Sequence, residues 1–396
     1  MSDNIEKAKQ HFDALIKQQL ERVEKLKAEV DWIDYSKLNP LIIGIIGGDG
    51  IGPEISKHAH MILRFLLKDE IEKSGIILRD INGLTIENRA KVNKAVPLEV
   101  LEEIKKCHVL LKGPTTTPRK GDKWPNIESA NVALRRALDL FANVRPIQIP
   151  EKEINWIFFR ENTEGTYLLG SKGINVTENL SIDFKVITSQ GAHRIIELAF
   201  EYAHKNGINK VSVVTKANVV KATDGKFLAI AQQVADKYPD IELDDWYIDI
   251  ITAKLIDPLR QSKFKIFVAP NLYGDIITDE AAQIQGGVGT AGSANIGKRY
   301  AMFEAIHGSA PRMIDEGREK YADPSSLLRA IVMMLEHVGY IDKARKLEKA
   351  LDICTLYEKK IIITGRSDGA TGKEFAEYVI NTLKKPSLET LWNFFH

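Results

Sequence analysis

Short apolar runs that alternate with helical patterns constrain this chain more than any other feature. Leu41-Ile-Ile-Gly-Ile-Ile46 is a buried-strand pattern that runs into Gly47-Gly-Asp-Gly-Ile-Gly-Pro-Glu54, with a helical pattern from about 55 to 68. A strand, a glycine turn and a helix open an α/β layer. Further strands are expected at 109–112, 156–159, 211–215, 266–269 and 360–364, with helices at 130–141, 191–206, 227–237 and 325–337 between them. This alternation predicts a doubly wound α/β architecture. The stretch 164–190 breaks it, reading as glycine turns and short alternating strands, and is expected to form a β arm. The glycine turn does not satisfy G-x-G-x-x-G, because Pro53 and Glu54 stand where the third glycine belongs. A Rossmann dinucleotide site is therefore not expected; close helix packing and direct ligand contact both remain as reasons for the glycines.

At 396 residues the chain has room for one large or two ordinary domains. Lys+Arg number 55 against 54 Asp+Glu, so no global field would recruit nucleic acid or an anionic membrane. An anionic ligand must be held by a local cluster. Cys107 and Cys354 are the two cysteines, which excludes a disulfide framework and suits a reducing compartment. No apolar run reaches the ~20 residues that span a bilayer, and the expected location is the cytoplasm. Residues about 4 to 31 carry Ile16, Leu20, Val23, Leu26 and Val30 on one stripe, an amphipathic helix too short for a sustained coiled coil, and residues 31–40 read as a linker.

Several clusters carry chemistry. In Asn271-Leu-Tyr-Gly-Asp-Ile-Ile-Thr-Asp279 two carboxylates share one helical face, the spacing at which hard divalent cations find oxygen ligands. Asp275 and Asp279 are expected to open a helix just beyond a strand end, where open α/β sheets place their sites. A capped, solvated helix start is the simpler reading of such a motif taken alone. A glycine run, 286–297, follows it. Asp249 lies in apolar surroundings and would be costly to bury without a partner or a metal. Ser129, Asn131 and Arg135 fall at the start and first turns of one helix; with Arg145 and Arg160 they offer three guanidiniums for carboxylate recognition. The loop 112–118 adds hydroxyls near the same place. Together these residues describe a pocket for a multiply anionic small molecule. Tyr167 can act as an acid if a neighbouring cation such as Lys216 lowers its pKa, although a buried aromatic with a satisfied hydroxyl is the plainer alternative. In Glu304-Ala-Ile-His-Gly-Ser-Ala-Pro311 the backbone amides could face phosphates and His307 could stack on a flat ring.

In these motifs, and in their order from about 41 to 384, the chain resembles the β-decarboxylating dehydrogenase family of isocitrate, isopropylmalate, homoisocitrate and tartrate dehydrogenases. The resemblance implies a two-domain α/β fold distinct from the Rossmann fold, with a β clasp arm and an extra N-terminal helix. Its parts would be a helical extension at 1–39, a large cofactor-binding domain from 40–140 and 286–396, and a small domain at 141–285 with a clasp at about 165–190. It implies a homodimer with shared active sites. Asp275 and Asp279 of one subunit, with Asp249 of the other, would hold Mg²⁺ or Mn²⁺. Arg135, Arg145 and Arg160 would bind substrate carboxylates, Lys216 would relay the hydroxyl proton, and Tyr167 would protonate the enolate after CO₂ leaves. Thr116, Asn218, Glu304, His307, Gly308, Ser309, Ala310, Arg312 and Asp323 would line the cofactor.

Ser129 and Asn131 resemble the polar pair of isocitrate enzymes, whereas isopropylmalate enzymes carry leucines there. An alkyl arm would leave these groups unpaired, at about 1–3 kcal/mol each. The expected activity is therefore oxidative decarboxylation of isocitrate to 2-oxoglutarate, a tricarboxylic acid cycle reaction, with homoisocitrate or 3-isopropylmalate as alternatives. A catalytically silent regulatory subunit is the alternative of another class; such subunits usually lose residues that are intact here. Arg312 and Met313 stand where NAD users have Asp-Ile, and a cation can pair with a 2′-phosphate. The tail Thr364-Gly-Arg-Ser-Asp-Gly369 resembles the NAD type, Asp323-Pro324 replaces a common Asn-Pro, and Lys254 replaces a polar amide near the nicotinamide. NADP is favoured over NAD.

Overall fold

The computed structural model describes every residue except 1, 29, 120, 171, 288–290 and 396, with nothing described for the side chain of residue 2. Glu29 of the expected N-terminal helix, Ser171 of the expected arm, and Val288, Gly289 and Thr290 of the glycine run lie outside the described residues. The strands are β1 (Leu41–Ile46), β2 (Ile76–Ile81), β3 (Val109–Lys112), β4 (Ala142–Ile149), β5 (Ile154–Glu161), β6 (Ile174–Thr177), β7 (Leu180–Ile182), β8 (Lys210–Thr215), β9 (Glu242–Tyr247), β10 (Ile266–Ala269), β11 (Gly292–Ile296) and β12 (Ala301–Ala305). The fold is mixed α/β, as the alternation predicts. Two compact units divide it: Met1–Asp31 with Phe141–Gln285, and Trp32–Leu140 with Gly286–His396. The N-terminal segment 1–39 is split between them at Asp31.

In the unit that ends at His396 the strand order is β2-β1-β3-β12-β11. All of these pairs are parallel except β11 with β12. One core cluster joins Ile46, Ile81, Leu110 and Met302 to Ile104 and Leu134 of the flanking helices. Gly44 lies in β1 with Ile81, Leu110 and Cys107 side chains where a Cβ would stand, so glycine sets the closeness of that packing. Helices Gly52–Leu66 and Ser325–His337 close this unit, the latter matching its expected bounds.

In the other unit the order is β4-β5-β10-β8-β9, with β4 and β5 antiparallel and the remaining pairs parallel. An aromatic core fills it, with Phe158 stacked on Phe267 at 4.5 Å and Trp156 edge-on to both. The expected arm contains the antiparallel hairpin β6–β7. Helix Ser2–Leu26 packs against this region: Leu15 is buried with Leu168 and Leu169, and Phe12 stacks on Phe184 at 5.3 Å.

Two expectations need correction. Residues 360–364 are not a strand; Lys359 takes φ 46°, Ile362 is 61% exposed, and Thr364 turns back to bond Asp368 at 2.6 Å. Its apolar run meets no strand and lies outside the sheet. Asp275 and Asp279 do not open their helix, which begins at Asn271 directly after β10 and runs to Gln285. They sit in its second and third turns, so the helix terminus is not their source of binding energy.

Candidate active site

The unit containing 141–285 gathers Asp275, Asp279, Arg145, Arg160 and Tyr167. Strand register starts the arrangement, since β4 and β5 place Arg145 opposite Phe158 and Asn143 opposite Arg160, and β10 sets Ala269 beside Arg160. The chain leaves β10 and enters the helix at Asn271, whose side-chain oxygen accepts from Arg160 Nε at 2.9 Å and Nη2 at 2.6 Å. Gly274 makes room for this, because a Cβ there would lie 2.6 Å from Arg160 Cγ. Arg160 Nη1 then donates to Asp275 Oδ1, and the Tyr167 hydroxyl donates to Asp275 Oδ2 at 2.7 Å. Arg145 Nη1 bonds Asp279 at 2.8 Å and the Thr278 hydroxyl at 2.8 Å, while its Nη2 lies 3.9 Å from Asp275. The arginine side chains are 1% and 7% exposed and the aspartates 33% and 60%, so buried cations present carboxylates to solvent. Arg160 lies over the Tyr167 ring at 5.5 Å, in the place of the expected cation Lys216.

Lys216 lies at the end of β8 and bonds Asp249, the second residue of helix Ile248–Leu255. Asp249 is not the buried carboxylate its apolar neighbours suggested: its side chain is 61% exposed, and its pKa is held down by the hydrogen bond from Lys216. Among the described residues no group of three His, Cys, Asp or Glu side chains converges as a metal set, so Asp249 does not join Asp275 and Asp279 within one chain. Asp275 and Asp279 do fit a shared cation. They are hard oxygen donors one turn apart on one face, and both reach a single guanidinium, that of Arg145. Asn218 lies in the turn after Lys216 and is exposed.

The other unit brings the remaining candidates together. Register sets Glu304 of β12 beside Lys112 of β3, and both are buried. Glu304 accepts from Lys112 at 3.3 Å, Arg135 at 3.2 Å and Asn295 at 2.8 Å. Burial opposes its ionisation, but Lys112 and Arg135 prevail and hold its carboxyl down to about 2. Burial pushes the Lys112 ammonium the other way, below its ordinary value. Arg135 is thus tied to Glu304, and its buried Nε has no hydrogen-bond partner among the described residues. Ser129 is the N-cap of helix Ala130–Ala137 without a side-chain cap bond, and Asn131 Oδ1 accepts from the Thr115 hydroxyl at 3.1 Å.

Three loops of this unit meet at the glycine turn. Asp49 accepts from Thr116 N and Ile86 N, each at 2.7 Å, and Ile51 N donates to Ser309 O at 3.0 Å. Gly50, at φ 58°, passes so close to Ser309 O that a Cβ would sit 1.9 Å from it. The glycines therefore serve close backbone approach. The Thr116 and Ser309 hydroxyls lie 2.9 Å apart, Gly308 has open space where a Cβ would be, and Ala310 takes φ 46° before the short helix Pro311–Asp315. His307 Nδ1 lies 3.0 Å from Gly308 O. Arg312 is 86% exposed and bonds Glu316 at 2.6 Å, which also takes Arg318. Asp323 accepts from Ser325 N at 2.8 Å, ordering the start of helix Ser325–His337. Lys112, Asn271 and Thr278 were not singled out from sequence. Asn271 stood in the motif, and Lys112 was legible only as a charge that ends an apolar strand.

Residues 42–377 match the isocitrate/isopropylmalate dehydrogenase family. The chain is 41% identical over 322 residues to isocitrate dehydrogenase [NADP] of Rickettsia prowazekii, covering 78% of this chain and 62% of that protein. It thus spans about three-fifths of that relative's length. It is 35% identical to homoisocitrate dehydrogenase of Methanocaldococcus jannaschii, covering 86% of this chain and 97% of that protein. The crystal structure of isocitrate dehydrogenase from Methylococcus capsulatus superposes with TM-score 0.74 at 32% identity, covering 87% of this chain and 99% of that one.

Proposed function

This chain belongs to the isocitrate/isopropylmalate dehydrogenase family, and we propose that it oxidatively decarboxylates isocitrate to 2-oxoglutarate and CO₂ with reduction of NAD(P)⁺. The observation that carries this reading is the meeting of Arg160, Arg145 and Tyr167 on Asp275 and Asp279. Asp275 and Asp279 would hold Mg²⁺ or Mn²⁺, completed by Asp249 of the partner subunit in a homodimer. When bound, the ion supplies a Lewis acid that polarises the substrate oxygens and steadies enolate charge, and NAD(P)⁺ supplies the hydride acceptor.

The chain's own residues do the rest. Arg145 and Arg160 are buried guanidiniums anchored by Thr278 and Asn271, so their forks are pre-oriented for substrate carboxylates. Tyr167 holds an O–H at Asp275 and is the donor for the enolate carbon; Lys216 of the partner subunit takes the hydroxyl proton. Because the Thr115 hydroxyl donates to Asn131 Oδ1, the Asn131 amide is left to donate. A carboxylate on the substrate's variable arm accepts that bond, and an isopropyl group cannot. This favours isocitrate, while the near full-length match to a homoisocitrate enzyme keeps that substrate second.

At the cofactor, Arg312 is the cation for a 2′-phosphate, and the Glu316 carboxylate paired with it offsets part of its field. The NADP preference is accordingly modest. Initial rates with isocitrate, homoisocitrate and 3-isopropylmalate, each with NAD and NADP and Mn²⁺, test the reading; 3-isopropylmalate as the best substrate would overturn it.

A further inference from the structure

We propose that the N-terminal helix Ser2–Leu26 is a positioning element of the site, gripping segment 164–172 on both sides of Tyr167 and holding its hydroxyl at Asp275, with Arg22 as the principal contact. The inference deepens the functional reading above and rests on it for the role of Tyr167.

On the near side, Arg22 Nη1 donates to Glu164 Oε1 at 2.9 Å. Glu164 is fully buried, and its carboxylate also accepts from the Thr188 hydroxyl at 2.5 Å and Thr188 N at 2.8 Å. Its backbone oxygen accepts from Asn271 Nδ2 at 3.1 Å, and Asn271 is the residue that braces Arg160. The same short stretch therefore connects Arg22 to Tyr167 and, through Asn271, to Arg160, each of which donates to Asp275. On the far side, Leu15 is buried on Leu168 and Leu169, the Gln18 side chain accepts from Lys172 Nζ at 2.8 Å, and His11 Nε2 lies 2.9 Å from Lys172 O.

Between these contacts lies Gly165, at φ 76°. A glycine leaves the backbone before Tyr167 free to rotate, so the tyrosine's direction must be fixed from outside the segment. Its backbone pairs with Val186 in both directions, at 2.8 and 3.2 Å, and the helix supplies the remaining restraint. The charge matters as well as the packing. Glu164 lies next to buried Glu161, and without Arg22 two desolvated carboxylates would drive the segment toward water.

The test uses the full-length protein with Arg22→Ala, Arg22→Lys and Leu15→Ala, each also combined with Tyr167→Phe. Arg22→Ala is expected to lower kcat about tenfold with KM for isocitrate changed less than about twofold, well short of the roughly hundredfold cost of a 1 Å misplacement. Arg22→Lys should restore most of that loss. In the Tyr167→Phe background the effect of Arg22→Ala should fall to no more than about threefold, the part carried through Asn271 and Arg160. Amide exchange should accelerate across 164–172 in Arg22→Ala and not elsewhere in the unit. Unchanged kcat, or an equal loss in both backgrounds, would overturn the proposal. Should Arg22→Ala fail to fold, Leu15→Ala and Arg22→Gln carry the same criteria. If the wild type turns over none of the three hydroxy acids, the functional reading fails by itself, and unchanged exchange across 164–172 would still overturn the grip.

Discussion

Glu304 in one unit and the pair Glu161 and Glu164 in the other are all buried, yet their surroundings treat a negative charge differently. Glu304 is one carboxylate between two cations, Lys112 and Arg135, and stays ionised down to about 2 despite burial. Glu161 is one of two neighbouring carboxylates; burial first, and then Glu164, push it up to about 7 against the pull of Arg194. What decides the direction is the number of cations per carboxylate, since desolvation raises both. The first cluster is held by strand register and the second by side chains that include one from the N-terminal helix. This difference predicts how each can be broken.

The largest effect should come from removing a cation where the cluster is wholly buried. Lys112→Met is expected to cost about 3–5 kcal/mol, as for other buried pairs that lose one partner. Arg22→Ala, at the partly exposed edge of the other cluster, should cost about 1–3 kcal/mol. Denaturant unfolding measures both, and equal losses would erase the distinction.

The pH dependence should separate them next. Glu304 has a folded pKa near 2 against an ordinary 4.5, so its contribution is present above 4.5 and is lost as pH falls through 2. Glu161 is shifted the other way, so its contribution is present below 4.5 and is lost as pH rises through about 7. Glu161→Gln should therefore raise stability at neutral pH, by about 1–3 kcal/mol, and flatten the curve between those values. A fall in stability at neutral pH would contradict the assigned direction. The smallest effect belongs to the exposed Arg312. Arg312→Asp should shift the ratio of NAD to NADP kcat/KM toward NAD by about three- to tenfold, and an unchanged ratio would remove the residue from the 2′ site.

The sequence made visible what local pattern encodes. The apolar runs at 41–46, 109–112 and 266–269 are strands with those bounds, and the motif 271–279 does place two carboxylates on one helical face. Strand β4 was missed because Arg145, Pro146 and Gln148 interrupt its apolar character, although alternate residues are buried. The Lys112–Glu304 pair was invisible because it depends on the pairing of strands far apart in sequence. The run at 360–364 misled because apolar content alone does not supply a strand partner. Nothing in the sequence sets Arg22 apart from the other charges of its helix, and only the docking of that helix beside Leu168 gives it a buried acceptor.

The central claim is that Asp275 and Asp279 support metal-dependent oxidation of isocitrate. Its most direct test is the initial rate of NAD(P)H formation from isocitrate with Mn²⁺, for the wild type and for Asp275→Asn. The account predicts turnover in the wild type that is abolished by a chelator, and a rate lower by a factor on the order of 10³ in the variant. Equal rates in the two proteins, or turnover indifferent to chelation, would contradict it.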